Sequence, residues 1–220
     1  MKVLFCHIPK CSGTNTNFYL SNKYNNDYEW YIHRILKYDI EKYKDYYKFS
    51  IIRDPLEKLI SLYFYQINFI EHLIKNDCLL TFQEGNWNKV NELYLKYNIT
   101  DITSFLNNYL IFYNNEIKPH ISNLEIINKT KNMTYYYIVG YLPQYLFICD
   151  DNFKLLVDDV VNINQIDYFL KNKFNIVLDD NDRLNTHKNS KDNYYNYLTT
   201  ENIKDIKEIY KEDYKYLFNT

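Results

Sequence analysis

KVLFCHIPKCSGTNT, residues 2–16, joins an apolar run to a small-residue loop, and that junction sets the architecture. Val3, Leu4, Phe5 and Ile8 form an apolar run with the length and composition of a strand buried on both faces. The loop Pro9-Lys10-Cys11-Ser12-Gly13-Thr14 follows and feeds residues 15–22, which read as a helix. A strand that passes through a small turn into a helix leaves the first helical N–H groups without intrahelical acceptors. It also points the positive end of the helix dipole at the turn, so anions bind there. Gly13 permits close backbone approach, Ser12, Thr14 and Thr16 carry hydroxyl donors, and Lys10 adds a mobile ammonium. With only 3 glycines in 220 residues, one at this position carries weight. The GxxxxGK[ST] order of a Walker A loop is absent.

A second corner repeats the arrangement. In SIIRDPLEKLISLY, residues 50–63, a strand over Phe49–Ile52 ends at Arg53-Asp54-Pro55. Asp54 is a good N-cap, Pro55 suits the first helical position, and Glu57 stands three residues after the cap. Leu56, Leu59, Ile60, Tyr63, Phe64, Ile67 and Ile70 then recur at helical spacing. Arg53 offers a planar fork to a phosphate. Ser61 shares a helix face with Asp54, about 10 Å along the axis. In an open α/β sheet both corners lie at the edge where ligands bind.

Elsewhere the pattern is less chemical. Residues 25–47 are polar, Tyr-rich and expected to be helical in part, and residues 76–133 carry amphipathic helical segments such as 103–113. Strands are expected over 135–139, 146–149 and 154–157, with a turn at Asp150-Asp151-Asn152. A helix over 164–173, a polar loop over 179–197 and a closing helix over 199–218 complete the chain. Alternating strand–loop–helix units indicate an α/β fold with a central parallel sheet flanked by helices.

Composition bounds the function. A chain of 220 residues fits a single domain, 1–220, that buries ~70% of its unfolded surface. A net charge of −2 argues against a general nucleic-acid binder, so any phosphate site is built from a few placed residues. The 26 tyrosines, like the heavy use of Asn, Ile and Lys, look like genomic AT bias. The apolar stretch after Met1-Lys2 is too short for a secretory or membrane segment. Cys6, Cys11, Cys78 and Cys149 contain no CxxC pair, so free thiols in a cytoplasmic protein are expected. No His/Cys group has metal-ligand spacing, and no metal is expected.

The two corners together resemble sulfotransferases that use 3′-phosphoadenosine-5′-phosphosulfate (PAPS), specifically the carbohydrate (sulfotransferase family 2-like) branch. HIPKCSGTN is similar to the family's 5′-phosphosulfate loop, typically HIPKTGGT, and SIIRDPLEKLISLY to its 3′-phosphate motif. The resemblance runs on through Pro143-Gln144, LFICDDNFKLLVDD, RLNTHKNS and the closing LTTENIKDIKEIYKEDYKYLF; residues 76–133 match least. Cys11-Ser12 replaces the usual Thr-Gly, Lys58 stands where the family mostly has Arg, and Asn164 where it commonly has Glu.

The resemblance implies a P-loop-like sulfotransferase fold and transfer of a sulfuryl group from PAPS to a hydroxyl-bearing acceptor such as a glycan. Lys10 would neutralise the bridging oxygen as PAP (adenosine 3′,5′-bisphosphate) departs. Ser12, Gly13, Thr14, Asn15 and Thr16 would hold the 5′-phosphate, and Arg53 and Ser61 the 3′-phosphate. Asn185, Lys188 and Ser190 sit where relatives close a loop over the nucleotide. The acceptor hydroxyl needs a general base, and His is the usual choice near neutral pH. His33 is the first candidate, 20 residues before Arg53, near where several carbohydrate sulfotransferases carry a catalytic His. His120 and His187 are alternatives, and His7 reads as a packing residue of the loop. Two other readings stay open: a module that binds PAP without catalysis, and a P-loop kinase, against which the missing Walker lysine speaks.

Overall fold

In chain order the elements are β1 (Val3–His7), α1 (Gly13–Tyr24), β2 (Tyr28–Ile32), β3 (Tyr47–Ile52), α2 (Pro55–Lys75), α3 (Glu84–Lys96), α4 (Ile102–Phe112), α5 (Leu124–Lys129), α6 (Tyr136–Val139), α7 (Tyr145–Ile148), β4 (Asp159–Asn162), α8 (Ile166–Phe174), α9 (Thr200–Ile209) and α10 (Lys211–Leu217). They come from a computed structural model that describes residues 1–75, 84–129, 136–178 and 194–218. The chain divides into two compact units. One comprises Met1–Asp54, Pro143–Asp192 and Glu212–Thr220, and the other Pro55–Leu142 and Asn193–Lys211.

The first unit is built on a four-stranded sheet of order β2-β1-β3-β4, parallel throughout. The central strands explain themselves. Every residue of β1 is buried, as are five of the six in β3, which is what a parallel strand covered on both faces requires. Val3 pairs with Tyr28 on one side and Tyr47 on the other, so β1, β2 and β3 run in step. On one face Phe5 stacks on Phe49, and Phe49 meets Phe169 and Phe174 of α8. The parallel sheet flanked by helices is the architecture the sequence implied.

Both edge strands were misplaced by sequence reasoning. The 25–47 stretch, expected to be partly helical, contains β2, followed by 3-10 turns at Leu36–Tyr38 and Ile40–Tyr43. An edge strand needs burial on one side only, and β2 is accordingly half-buried, with just Tyr31 fully inside. The fourth strand is neither 146–149 nor 154–157. Tyr145–Ile148 is a helical turn, and Leu155 makes only a lone antiparallel bridge to Cys149. The strand is Asp159–Asn162, entered through an Asp-Asp pair that resembles a loop. Those aspartates serve β3: Asp158 accepts the Lys48 N–H at 2.7 Å, and Asp159 accepts the Tyr47 hydroxyl.

The second unit is helical, with the long amphipathic α2 opening it. The expected 135–139 strand is helical over Tyr136–Val139; a short apolar run cannot by itself distinguish the two. Beyond its end, the Gly140 and Leu142 carbonyls accept from the buried Lys58 ammonium at 2.8 and 3.0 Å. The closing helix is two helices with a break at Tyr210, whose φ is −104° and ψ 21°. The Tyr210 hydroxyl is held by the Tyr141 carbonyl at 2.9 Å and the Tyr109 hydroxyl at 2.6 Å. Thr199 caps α9 in a reciprocal box with Asn202. No helix among the described residues is long and apolar enough to cross a membrane.

Candidate functional site at the carboxyl edge of the sheet

Because β1, β2 and β3 are parallel neighbours, the residues just beyond their carboxyl ends lie along one edge. Those residues are the turn Pro9–Ser12 after β1, His33 after β2 and Arg53 after β3. Lys10 feels Arg53 directly. Burial pushes the Lys10 ammonium down from its ordinary range to about 8, and the nearby Arg53 guanidinium adds to the shift. The two cations expected from separate corners therefore occupy one neighbourhood along the sheet edge.

The turn itself is strained. Lys10 has φ 65° and Ser12 φ 56°, both in the left-handed region that L-residues avoid. Gly13, by contrast, has no positive φ. Its missing side chain also makes room for the His7 ring, since a Cβ there would lie 1.8 Å from Nε2. His7 is 8% exposed, and its ring lies 4.6 Å from that of His33 and 5.6 Å from that of Trp30. The His33 N–H donates to the His7 carbonyl at 3.0 Å, and His33 also has a positive φ, 51°. Burial first, then His33 and Lys10, hold the His7 imidazole well below its ordinary pKa, so it is neutral at pH 7. His7 is thus the packed residue the sequence suggested, wedged between the loop and His33.

Helix α1 starts at Gly13 with no acidic residue in its first turn, and the Ser12 side chain does not cap it. Thr14 is exposed, Asn15 half-buried, and Thr16 fully buried. The Asn15 Oδ1, Thr16 Oγ1 and His7 Nδ1 atoms are buried without a hydrogen-bond partner. Buried polar atoms are nearly always paired, so unspent capacity collects around this helix start.

Sequence reasoning did not find what joins the corners. The side chain of Gln144, 0% exposed, accepts at Oε1 from the Cys11 thiol (3.5 Å) and from the Arg53 N–H (3.0 Å). Its Nε2 donates to the Arg53 carbonyl at 2.7 Å. Asp213, equally buried, accepts from the Gln144 and Tyr145 N–H groups at 2.9 and 2.8 Å. The only signal in the sequence was Pro143-Gln144 ahead of a short apolar run, and nothing there connects it to residues 11 or 53.

Of the other expected site residues, Ser61 is half-buried in α2, within the second unit, and His120 is half-buried in a 3-10 segment of the same unit. Asn185, His187, Lys188 and Ser190 lie outside the described residues. Cys6, Cys11 and Cys149 are buried free thiols, and Cys78 lies outside the described residues.

The fold is that of a parallel α/β protein, with Lys10 and Arg53 just past two neighbouring strand ends on one edge of the sheet. The model of the Sulfotransferase family matches residues 1–219, and the chain belongs to that family. Neither the curated proteins nor the solved structures compared with the chain include a match.

Proposed function

We propose that the chain transfers a sulfuryl group from PAPS to an acceptor hydroxyl on a carbohydrate. The observation that carries this reading is that Lys10 and Arg53 stand just past the carboxyl ends of the paired strands β1 and β3, where the guanidinium helps to hold the Lys10 pKa down. A ligand with anionic groups at both ends, such as an adenosine bisphosphate, offsets the repulsion between them. The unpartnered polar atoms at the start of α1 suit the same ligand.

Roles follow from chemistry and from the family resemblance. Sulfuryl transfer is an in-line displacement in which charge builds on the leaving oxygen, so positioning and electrostatics dominate. Lys10 stabilises that charge. The first turn of α1, from Ser12 through Gly13, Thr14 and Asn15 to Thr16, receives the 5′-phosphate, and Arg53 the 3′-phosphate. The family motif alone adds Ser61 to the latter. His33 takes the acceptor proton, and the neutral His7 beside it adds no charge of its own at pH 7. The buried free thiols fit work in a reducing, cytoplasmic setting.

The test is calorimetry with PAP against ATP, followed by transfer of labelled sulfate to a panel of glycans. Lys10→Ala is expected to cut turnover ~10²–10³-fold, the scale of removing one charge-stabilising donor, and to lower PAP affinity only about tenfold. Arg53→Ala should weaken PAP binding itself, and His33→Ala should impair turnover alone. Tight PAP binding with no transfer to any acceptor would favour a non-catalytic binding module. Preference for ATP would refute the reading.

A further inference from the structure

The side chain of Gln144 bonds to both corners at once. Toward the first it meets the thiol of Cys11, which stands between the two strained residues Lys10 and Ser12. Toward the second it takes both backbone groups of Arg53, leaving that residue's main chain no freedom to rotate without breaking two hydrogen bonds. Gln144 is itself fixed, because the Asp213 carboxylate holds its N–H and that of Tyr145 at the start of α7. All these groups belong to one compact unit, and Gln144 and Asp213 are both 0% exposed.

We propose that Gln144 is a positioning residue that sets the separation of the two corners, and with it the selection of a nucleoside 3′,5′-bisphosphate over a 5′-monophosphate. The proposal rests on the PAP reading above. Each corner can attract one phosphate unaided. Holding both phosphates of one ligand requires the second site to stand at a fixed distance from the first, where the tethered phosphate meets it at high effective concentration. A misplacement of about 1 Å is enough to forfeit much of that advantage. The thiol is a weak donor, so the Arg53 arm carries more of the constraint than the Cys11 arm.

Calorimetry on the full chain with adenosine 3′,5′-bisphosphate and with 5′-AMP tests the proposal. Gln144→Leu is expected to lower bisphosphate affinity at least tenfold and AMP affinity by less than threefold. Cys11→Ala, a milder variant should the leucine fail to fold, is expected to narrow the preference two- to threefold, and Cys11→Ser, which keeps a donor, to retain it. Equal losses for both ligands in a folded Gln144→Leu protein, or an unchanged preference, would overturn the proposal. Amide exchange supplies a readout that needs no ligand: Gln144→Leu should accelerate exchange at Arg53 and in the 11–13 turn together. Unchanged exchange at either corner counts against the pin. If the wild-type chain shows no preference for the bisphosphate, the PAP reading fails, and the exchange result decides the structural claim by itself.

Discussion

The two strand-end corners are built on opposite principles. The first, from His7 to Thr16, has left-handed backbone at Lys10 and Ser12, a helix start without a side-chain cap, and buried polar atoms on His7, Asn15 and Thr16 without partners. The second, Ile52 to Asp54, has no positive φ; Gln144 bonds both backbone groups of Arg53, and Asp54 accepts from the Tyr214 hydroxyl at 3.2 Å. Strain and unspent hydrogen-bonding capacity persist in proteins where surrounding structure over-determines them, and they cluster at functional sites. The first corner therefore carries strain and unspent hydrogen bonds, and the second is held by paired ones.

The largest effect that separates them is steric. His7 cannot swing away from a methyl group at position 13, because it is buried among Phe5, Trp30 and His33. Gly13→Ala should cost about 3 kcal/mol, at the upper end of what overpacking does. His7→Ala removes the obstructing ring, so the double variant should recover at least ~1 kcal/mol relative to the sum of the singles, as coupled neighbours do. Urea unfolding of the four proteins measures this. Strict additivity would show that Gly13 serves something other than the ring.

How much of this was legible beforehand follows the range of the interactions. Val3 to His7 and Phe49 to Ile52 declare themselves as central strands because burial on both faces leaves a continuous apolar record. The helix after Arg53 is local chemistry and could be read directly. The edge strands could not, since Tyr28–Ile32 and Asp159–Asn162 owe their conformation to neighbours distant in sequence. The candidate site divides in the same way. Lys10 and Arg53 were visible as corner residues, whereas Gln144, 91 residues beyond Arg53, is joined to it only in three dimensions. The glycine was found, but its packing against the His7 ring was not, because a ring packed against a Cα leaves no trace in spacing.

Protonation distinguishes the corners next. Lys10 has its folded pKa near 8, below its ordinary 10.5. Between those values the unfolded chain binds more protons than the folded one, so this residue's contribution to stability rises with pH across that window. Below about 8 both states are charged, and the full penalty of the buried cation applies. Ligand binding runs the other way. A bisphosphate is held by the charged form, so PAP affinity should fall about tenfold between pH 7 and 9, with proton uptake on binding above pH 8. Lys10→Arg, which keeps its charge throughout, should flatten that profile. Calorimetry in buffers of differing ionisation heat reads both quantities. A wild-type profile flat to pH 9 would remove Lys10 from the anion site.

The smallest effect bears on the strain itself. Ser12 sits at φ 56° and ψ 27° and gives its helix no side-chain bond in return. A left-handed L-residue costs ~1–2 kcal/mol, while a glycine there gives back ~0.4–1 kcal/mol through the freer unfolded chain. Ser12→Gly should therefore stabilise the protein by about 0.5 kcal/mol, or roughly 1–2 °C in Tm at this size. PAP affinity should move in the opposite direction if the hydroxyl faces the 5′-phosphate, because the variant loses a donor from the anion site while its backbone relaxes. Opposite signs in the two measurements would identify the strain at this corner as a cost kept for function. A gain in both would mean that Ser12 adds nothing to the site, and that the chemistry of the first corner rests on Lys10 and the helix start alone.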